Sequence, residues 1–89
     1  MIAIMTVTGP DHTGIIAAVS TALAELKVNI LDVSQTIMDN YFTMILRVEL
    51  DDNTTDITAV QERMTTVEEQ EQLVIRVQSD ALFSTMHEI

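Results

Sequence analysis

Eighty-nine residues make one domain, near the size at which a single core gives only marginal stability. Hydrophobic residues form 47% of the chain and charged ones 20%, a globular balance rather than a disordered one. The absence of cysteine excludes disulfides, thiolate nucleophiles and zinc ribbons. Fourteen acidic residues against four basic ones give a net charge of −10, a field that repels phosphate backbones and anionic lipid, so direct binding to nucleic acid is not expected. No apolar run is long enough to span a bilayer, and the first nine residues lack a basic leader and cleavage site. A cytoplasmic protein without a membrane partner is expected.

Ile2–Thr8 is almost continuously apolar and β-branched, as a central strand buried on both faces would be. Gly9-Pro10 is expected to stop it. A helix follows from Ile15, with Ile16, Val19, Leu23 and Leu26 as its apolar stripe. Thr13 is its expected N-cap. Lys27-Val28-Asn29 leads out of the helix into a second strand, Ile30–Met38, where Leu31, Val33 and Ile37 share one parity and Ile30 has the other. A bulge at an unlocated position would reconcile them.

Asp39-Asn40 reads as a hairpin turn. The third strand alternates cleanly: Phe42, Met44, Leu46, Val48 and Leu50 point one way, and Tyr41, Thr43, Ile45, Arg47 and Glu49 the other. A polar loop over 51–55 precedes a second helix with Ile57, Val60, Met64 and Val67 on its buried side, then a last strand over Leu73–Val77. A short terminal helix is expected over 80–87, with Leu82, Phe83 and Met86 apolar. Strand, helix, strand, strand, helix, strand gives an α+β fold, the ferredoxin-like βαββαβ sandwich: an antiparallel sheet with both helices on one face.

The helix-free face would carry Ile45 and Val74, together with either Ile2 and Ile4 or Ala3, Met5 and Val7. That much aliphatic surface calls for cover. Two covers are open, a homodimer through sheet faces or edges and the terminal segment with Leu82 and Phe83; the dimer is the favoured expectation.

Gly9-Pro10-Asp11-His12-Thr13-Gly14 links the first strand to the first helix. The two glycines allow positive φ or close approach of backbone to a ligand. The first N–H groups of the helix, at Gly14, Ile15 and Ile16, attract an anion such as a carboxylate. Asp11 can answer an ammonium group, and Asn29 offers a donor and an acceptor. One anion site beside one cation site suits a zwitterion, and an amino acid is the natural candidate. The same residues are also ordinary turn and cap residues.

His12 has the chemistry of a general base or metal ligand. It lacks partners in sequence, the other histidine being the distant His87, so a surface turn histidine is the expected role and no metal site is assigned. Ser20 and Ser34 have no neighbouring histidine, which leaves a nucleophilic triad without support. Glu68, Glu69 and Glu71 read as a solvated helix end. The four cations, Lys27, Arg47, Arg63 and Arg76, all lie outside the turn. An acylphosphatase-like reaction on this fold would lack the charge that stabilises its transition state. No catalytic residues and no cofactor are assigned.

Thr8-Gly-Pro-Asp-His-Thr-Gly-Ile-Ile16, with Leu26-Lys-Val-Asn-Ile-Leu-Asp-Val-Ser-Gln35, resembles the ACT domain pattern. The similarity runs over nearly the whole chain, 1–89 reading as a single ACT-like domain with 79–89 as a C-terminal extension. It extends to small stand-alone ACT proteins and, for one ACT unit, to the glycine-cleavage repressor group. The resemblance implies a ferredoxin-like homodimer that binds an amino acid or similar metabolite between subunits and signals its level. The positions that match the pattern are Gly9, Asp11, Gly14 and Ile15 in the turn, with Asn29 and Ile30 after the helix; Pro10, His12 and Thr13 complete the candidate ligand-binding set. Family members are usually fused to an enzyme or a DNA-binding domain, so the expected listener here is a separate protein. The alternative is a dimeric adaptor that binds protein and no ligand.

Overall fold

Six elements follow in the expected order: β1 (Ile2–Pro10), α1 (Ile15–Glu25), β2 (Asn29–Met38), β3 (Tyr41–Glu49), α2 (Ile57–Glu71) and β4 (Val74–Ser79). The structure is a computed structural model and describes residues 1–81. Asp80 and Ala81 are helical, as expected for the start of the terminal helix; its remainder, with Leu82, Phe83 and Met86, and the cover it would give the sheet lie outside the described residues. The strands form one sheet in the order β2-β3-β1-β4, every neighbouring pair antiparallel.

Phe42, Met44, Leu46 and Val48 are buried and alternate with exposed residues, so β3 fixes which face of the sheet meets the helices. Ala3, Met5 and Val7 lie opposite Val48, Leu46 and Met44 and are fully buried. Ile2, Ile4, Thr6 and Thr8 therefore belong to the other face, opposite Glu49, Arg47, Ile45 and Thr43. That settles the choice the alternation left open in favour of Ile2 and Ile4. Val74 joins them through its pairing with Thr8.

The helices complete the core. Val60, Met64 and Val67 of α2 are buried as expected, and the Asp56 carboxylate accepts the Ala59 N–H at 2.9 Å as the N-cap. The stripe of α1 keeps Val19, Leu23 and Leu26 as expected, and only its first member is shifted, from Ile16 to Ile15. Ile15, Val19, Ala22 and Leu23 are buried, whereas Ile16 is 49% exposed. The cap explains the shift. Gly14, at φ 96°, is the N-cap and no side chain caps the helix, so Thr13 does not take the expected role. Ile15 consequently becomes the first helical residue and starts the inward row at i, i+4 and i+8.

Strand limits also differ from expectation. β1 runs on through Gly9 and Pro10, which pair with Phe42 and Tyr41; a proline is tolerated in the last position of a strand, where the missing donor costs least. The final strand begins at Val74 rather than Leu73. Gln72, in the left-handed region, ends α2, and Leu73 gives its N–H to the Glu68 carbonyl at 3.1 Å. In β2 the irregularity falls between Ile30 and Asp32. It puts Ile30, opposite Val48, on the same face as Val33 and Ile37, opposite Leu46 and Phe42, which is the reconciliation the parity demanded. The hairpin is as expected, with Asp39 at φ 55°.

The two border strands are finished differently. On β4, the outward Ile75 N–H is taken by Glu68 Oε2 at 2.7 Å and the Val77 carbonyl by Gln61 Nε2 at 2.9 Å. Both side chains come from α2, seven residues and so two turns apart. On β2 every residue is exposed.

Candidate functional site

The turn between β1 and α1 sits at the hairpin end of the sheet because Pro10 pairs with Tyr41. The next residue is tied there as well: the Asp11 N–H donates to the Asn40 carbonyl at 2.7 Å. The Asp11 side chain itself is exposed. Beyond it, the Ile15, Ile16 and Ala17 N–H groups open α1 without acceptors inside the helix, and α1 has neither a capping side chain nor an acidic residue in its first turn. The Gly14 carbonyl is already engaged by Ala18 N–H at 2.9 Å.

The two glycines serve different ends. Gly14 needs its conformation, since φ 96° strains any side chain, yet a Cβ there would meet nothing within 4 Å. Gly9 needs its smallness. A Cβ there would stand 2.8 Å from Leu73 Cδ2 and 3.1 Å from the Gln72 carbonyl, so the close approach at Gly9 is made by the start of the β4 segment.

A cleft of about 400 Å³ lies over the turn, lined by Asp11 to Ala17 together with Gln35, Ile37 and Phe42. It combines a carboxylate, free helix N–H groups and an apolar wall, and it opens beside the bare strand β2. A second cleft of about 400 Å³ lies behind, between Pro10–His12 and Gln70–Gln72. His12 stands between the two, and it has a partner that sequence could not supply. Its Nε2 is 2.9 Å from Glu71 Oε1 and its Nδ1 is 3.0 Å from the Pro10 carbonyl. The Glu71 hydrogen bond, then that to Pro10, hold the His12 pKa above the usual 6.5. Glu71 is thus an ion-pair member and Glu68 a strand cap, both half-buried, rather than parts of a solvated helix end; Glu69 is exposed as expected.

Asn29 and Ile30 are not beside the turn. Asn29 pairs with Glu49 and Met38 with Tyr41, which puts Asn29 at the opposite end of the sheet. Eight residue steps at about 3.4 Å give a separation of roughly 27 Å. Within one chain the turn and Asn29 therefore cannot share a small ligand. Gln35, Ile37 and Phe42 are brought to the turn instead. The signal was present in the hairpin, since a turn at Asp39-Asn40 and a β1–β3 pairing together carry them there.

Among the described residues no three His, Cys, Asp or Glu side chains gather to hold a metal ion. No helix among them is long and apolar enough to cross a membrane.

Comparison with known proteins agrees with the geometry. The family model for the ACT domain matches residues 1–78. The chain belongs to the ACT domain family. It is also 68% identical to a UPF0237 protein of Corynebacterium glutamicum, over the full length of both chains. Among solved structures, an ACT domain protein from Streptococcus pneumoniae is 42% identical, with a TM-score of 0.81 and 93% of each chain covered. The regulatory subunit of aspartate kinase from Thermus thermophilus shares the fold at 23% identity, with a TM-score of 0.72 over 89% of this chain and 51% of that one. The ACT domain is a regulatory, small-molecule-binding domain, and in this ACT domain the β1–α1 turn carries the cleft just described.

Proposed function

We propose that this ACT domain is a cytoplasmic homodimer that binds a free amino acid at the β1–α1 turn and passes its level to a separate protein, without catalysis of its own. The observation that carries the reading is the cleft at Asp11–Ala17. The exposed Asp11 carboxylate suits an ammonium group, and the uncapped N–H groups of α1 suit a carboxylate. Ile16 and Ile37, both about half exposed, offer an apolar surface to a side chain. Gly9, Pro10, His12, Thr13 and Gly14 shape this backbone, and Ile15 anchors it to the core.

The exposed strand β2 supports the dimer. Its sequence, NILDVSQTIM, holds neither lysine nor proline, and the bulge and the charged Asp32 that could blunt it lie toward the Asn29 end, which leaves Val33–Met38 a regular exposed border. Two β2 strands paired antiparallel about a two-fold axis would reverse one against the other. The Asn29 end of one copy then lies toward the Met38 end of its partner. That arrangement returns Asn29 and Ile30 to the ligand, from the second subunit.

A thermal-shift screen of the common amino acids tests the reading. A ligand bound only to the native state raises Tm by mass action, so at least one amino acid at millimolar concentration should raise it. Asp11→Asn should remove that rise while leaving the unliganded Tm unchanged. If no amino acid moves the transition while a protein partner co-purifies, the domain is an adaptor and the ligand reading fails.

A further inference from the structure

One feature of the site goes beyond holding a ligand, and it rests on the turn being a ligand site. His12 faces two groups that can only accept: the Pro10 carbonyl at 3.0 Å from Nδ1 and Glu71 Oε1 at 2.9 Å from Nε2. A neutral imidazole carries one N–H and can satisfy one of them. The imidazolium carries two and satisfies both. The geometry is therefore complete only when the ring is charged.

The ring also occupies a commanding place. His12 and Asp11 line both clefts, the one that continues along Gly14–Ala17 to Gln35 and the one that continues to Gln70–Gln72. His12 is thus the partition between them. The charged groups that face it are Glu71 from the end of α2 and Asp11 from the turn itself; Gln70 and Gln72 line the rear cleft and are neutral.

We propose that the His12–Glu71 pair is a latch, closed while the imidazole is protonated, that pins the β1–α1 turn to the end of α2 and thereby sets the shape of the ligand cleft. Loss of the proton leaves one ring nitrogen with a lone pair facing an acceptor oxygen. One of the two bonds must then open, and the bond to Glu71 is no longer an ion pair. The turn keeps its anchor at Asp11 N–H to Asn40, while its tie to α2 weakens. Since the native pKa of His12 lies above 6.5, the stabilisation is fully present below pH 6.5 and disappears as pH rises through the native value. Ligand capture by this turn is accordingly coupled to pH.

The test uses the whole chain and two readouts that need no amino acid. An NMR titration of the His12 ring should place its midpoint above 6.5 in the wild type. In Glu71→Gln, which keeps an acceptor oxygen but not the charge, the midpoint should fall toward 6.5; each unit of difference corresponds to roughly a tenfold change in the latch equilibrium. The Asp11 amide, whose N–H is held by the Asn40 carbonyl at 2.7 Å, should lose protection as the wild-type ring loses its proton and should be less protected at every pH in Glu71→Gln. An identical midpoint in the two proteins overturns the latch, as does turn protection that ignores the titration. The amino-acid thermal shift, measured separately, decides the ligand site on its own terms.

Discussion

β2 and β4 border the same sheet, and comparing them shows how this domain separates stability from association. β4 is closed. Its outward N–H at Ile75 and its outward carbonyl at Val77 are consumed by Glu68 and Gln61 of α2, and its inward side chains Ile75 and Val77 are buried. β2 is longer, ten residues against six, and carries apolar side chains whose exposure runs from 38% at Ile30 to 70% at Met38. The two-residue hairpin makes Met38 and Tyr41 a hydrogen-bonded pair, so the backbone groups of Val33, Gln35 and Ile37 point outward. Of these, the Val33 N–H is taken by the carboxylate of the preceding Asp32 at 2.9 Å. Helix side chains guard one border, and the other is left available.

The difference predicts that mutations along the β4 border cost folding free energy and that those along β2 cost self-association. The largest stability effect is expected where β1 meets the start of the β4 segment. Gly9→Val would drive a branched side chain into Leu73 and the Gln72 carbonyl, positions already 2.8 and 3.1 Å from an added Cβ. Overpacking of this kind costs about 2–3 kcal/mol, to be read as a lower midpoint in urea denaturation. An unchanged midpoint would show that the junction yields freely.

Next come the two caps on β4. Glu68→Ala leaves the Ile75 N–H without its acceptor. A hydrogen bond to a charged group is worth about 1.5–3 kcal/mol, and the partial exposure of Glu68 points to the lower figure, about 1.5 kcal/mol. Gln61→Ala removes a neutral bond to Val77 and should cost about 1 kcal/mol. Amide exchange at Ile75 separates them, since it should quicken markedly in Glu68→Ala and little in Gln61→Ala. Equal exchange in both variants would mean that the helix, rather than these side chains, shields the strand.

The contrast between borders also marks what could be read from the chain alone. Local periodicity was sufficient for β3 and α2, because each has one apolar residue per repeat at unambiguous spacing. It misplaced the first residue of the α1 stripe, where Ile15 and Ile16 are adjacent and the left-handed Gly14 sets which faces inward. It ended β1 early, since Gly9-Pro10 reads as a break yet is held by pairing with Phe42 and Tyr41. The site suffered most. Asn29 follows the first helix closely in sequence, but strand direction carries it to the far end of the sheet. His12 and Glu71 meet across 59 residues, a distance over which no local pattern operates.

The smallest stability effect and the sharpest functional one are expected on β2. Val33 is about half exposed, so Val33→Lys removes little buried surface and should change stability by no more than about 0.5 kcal/mol. A lysine on a free border is also the device by which natural sheets refuse another strand. In a dimer joined through β2, the two-fold would place each introduced ammonium near the opposing strand and force it out of an apolar seam. The wild type should therefore show the mass of two chains by light scattering at micromolar concentration, and Val33→Lys the mass of one, with their urea midpoints little changed. If the variant remains a dimer of normal stability, β2 is not the seam, and the return of Asn29 to the ligand through a second subunit falls with it. If the wild type is itself a monomer, the bare border serves another strand, and the comparison between the two edges must be redrawn around that partner.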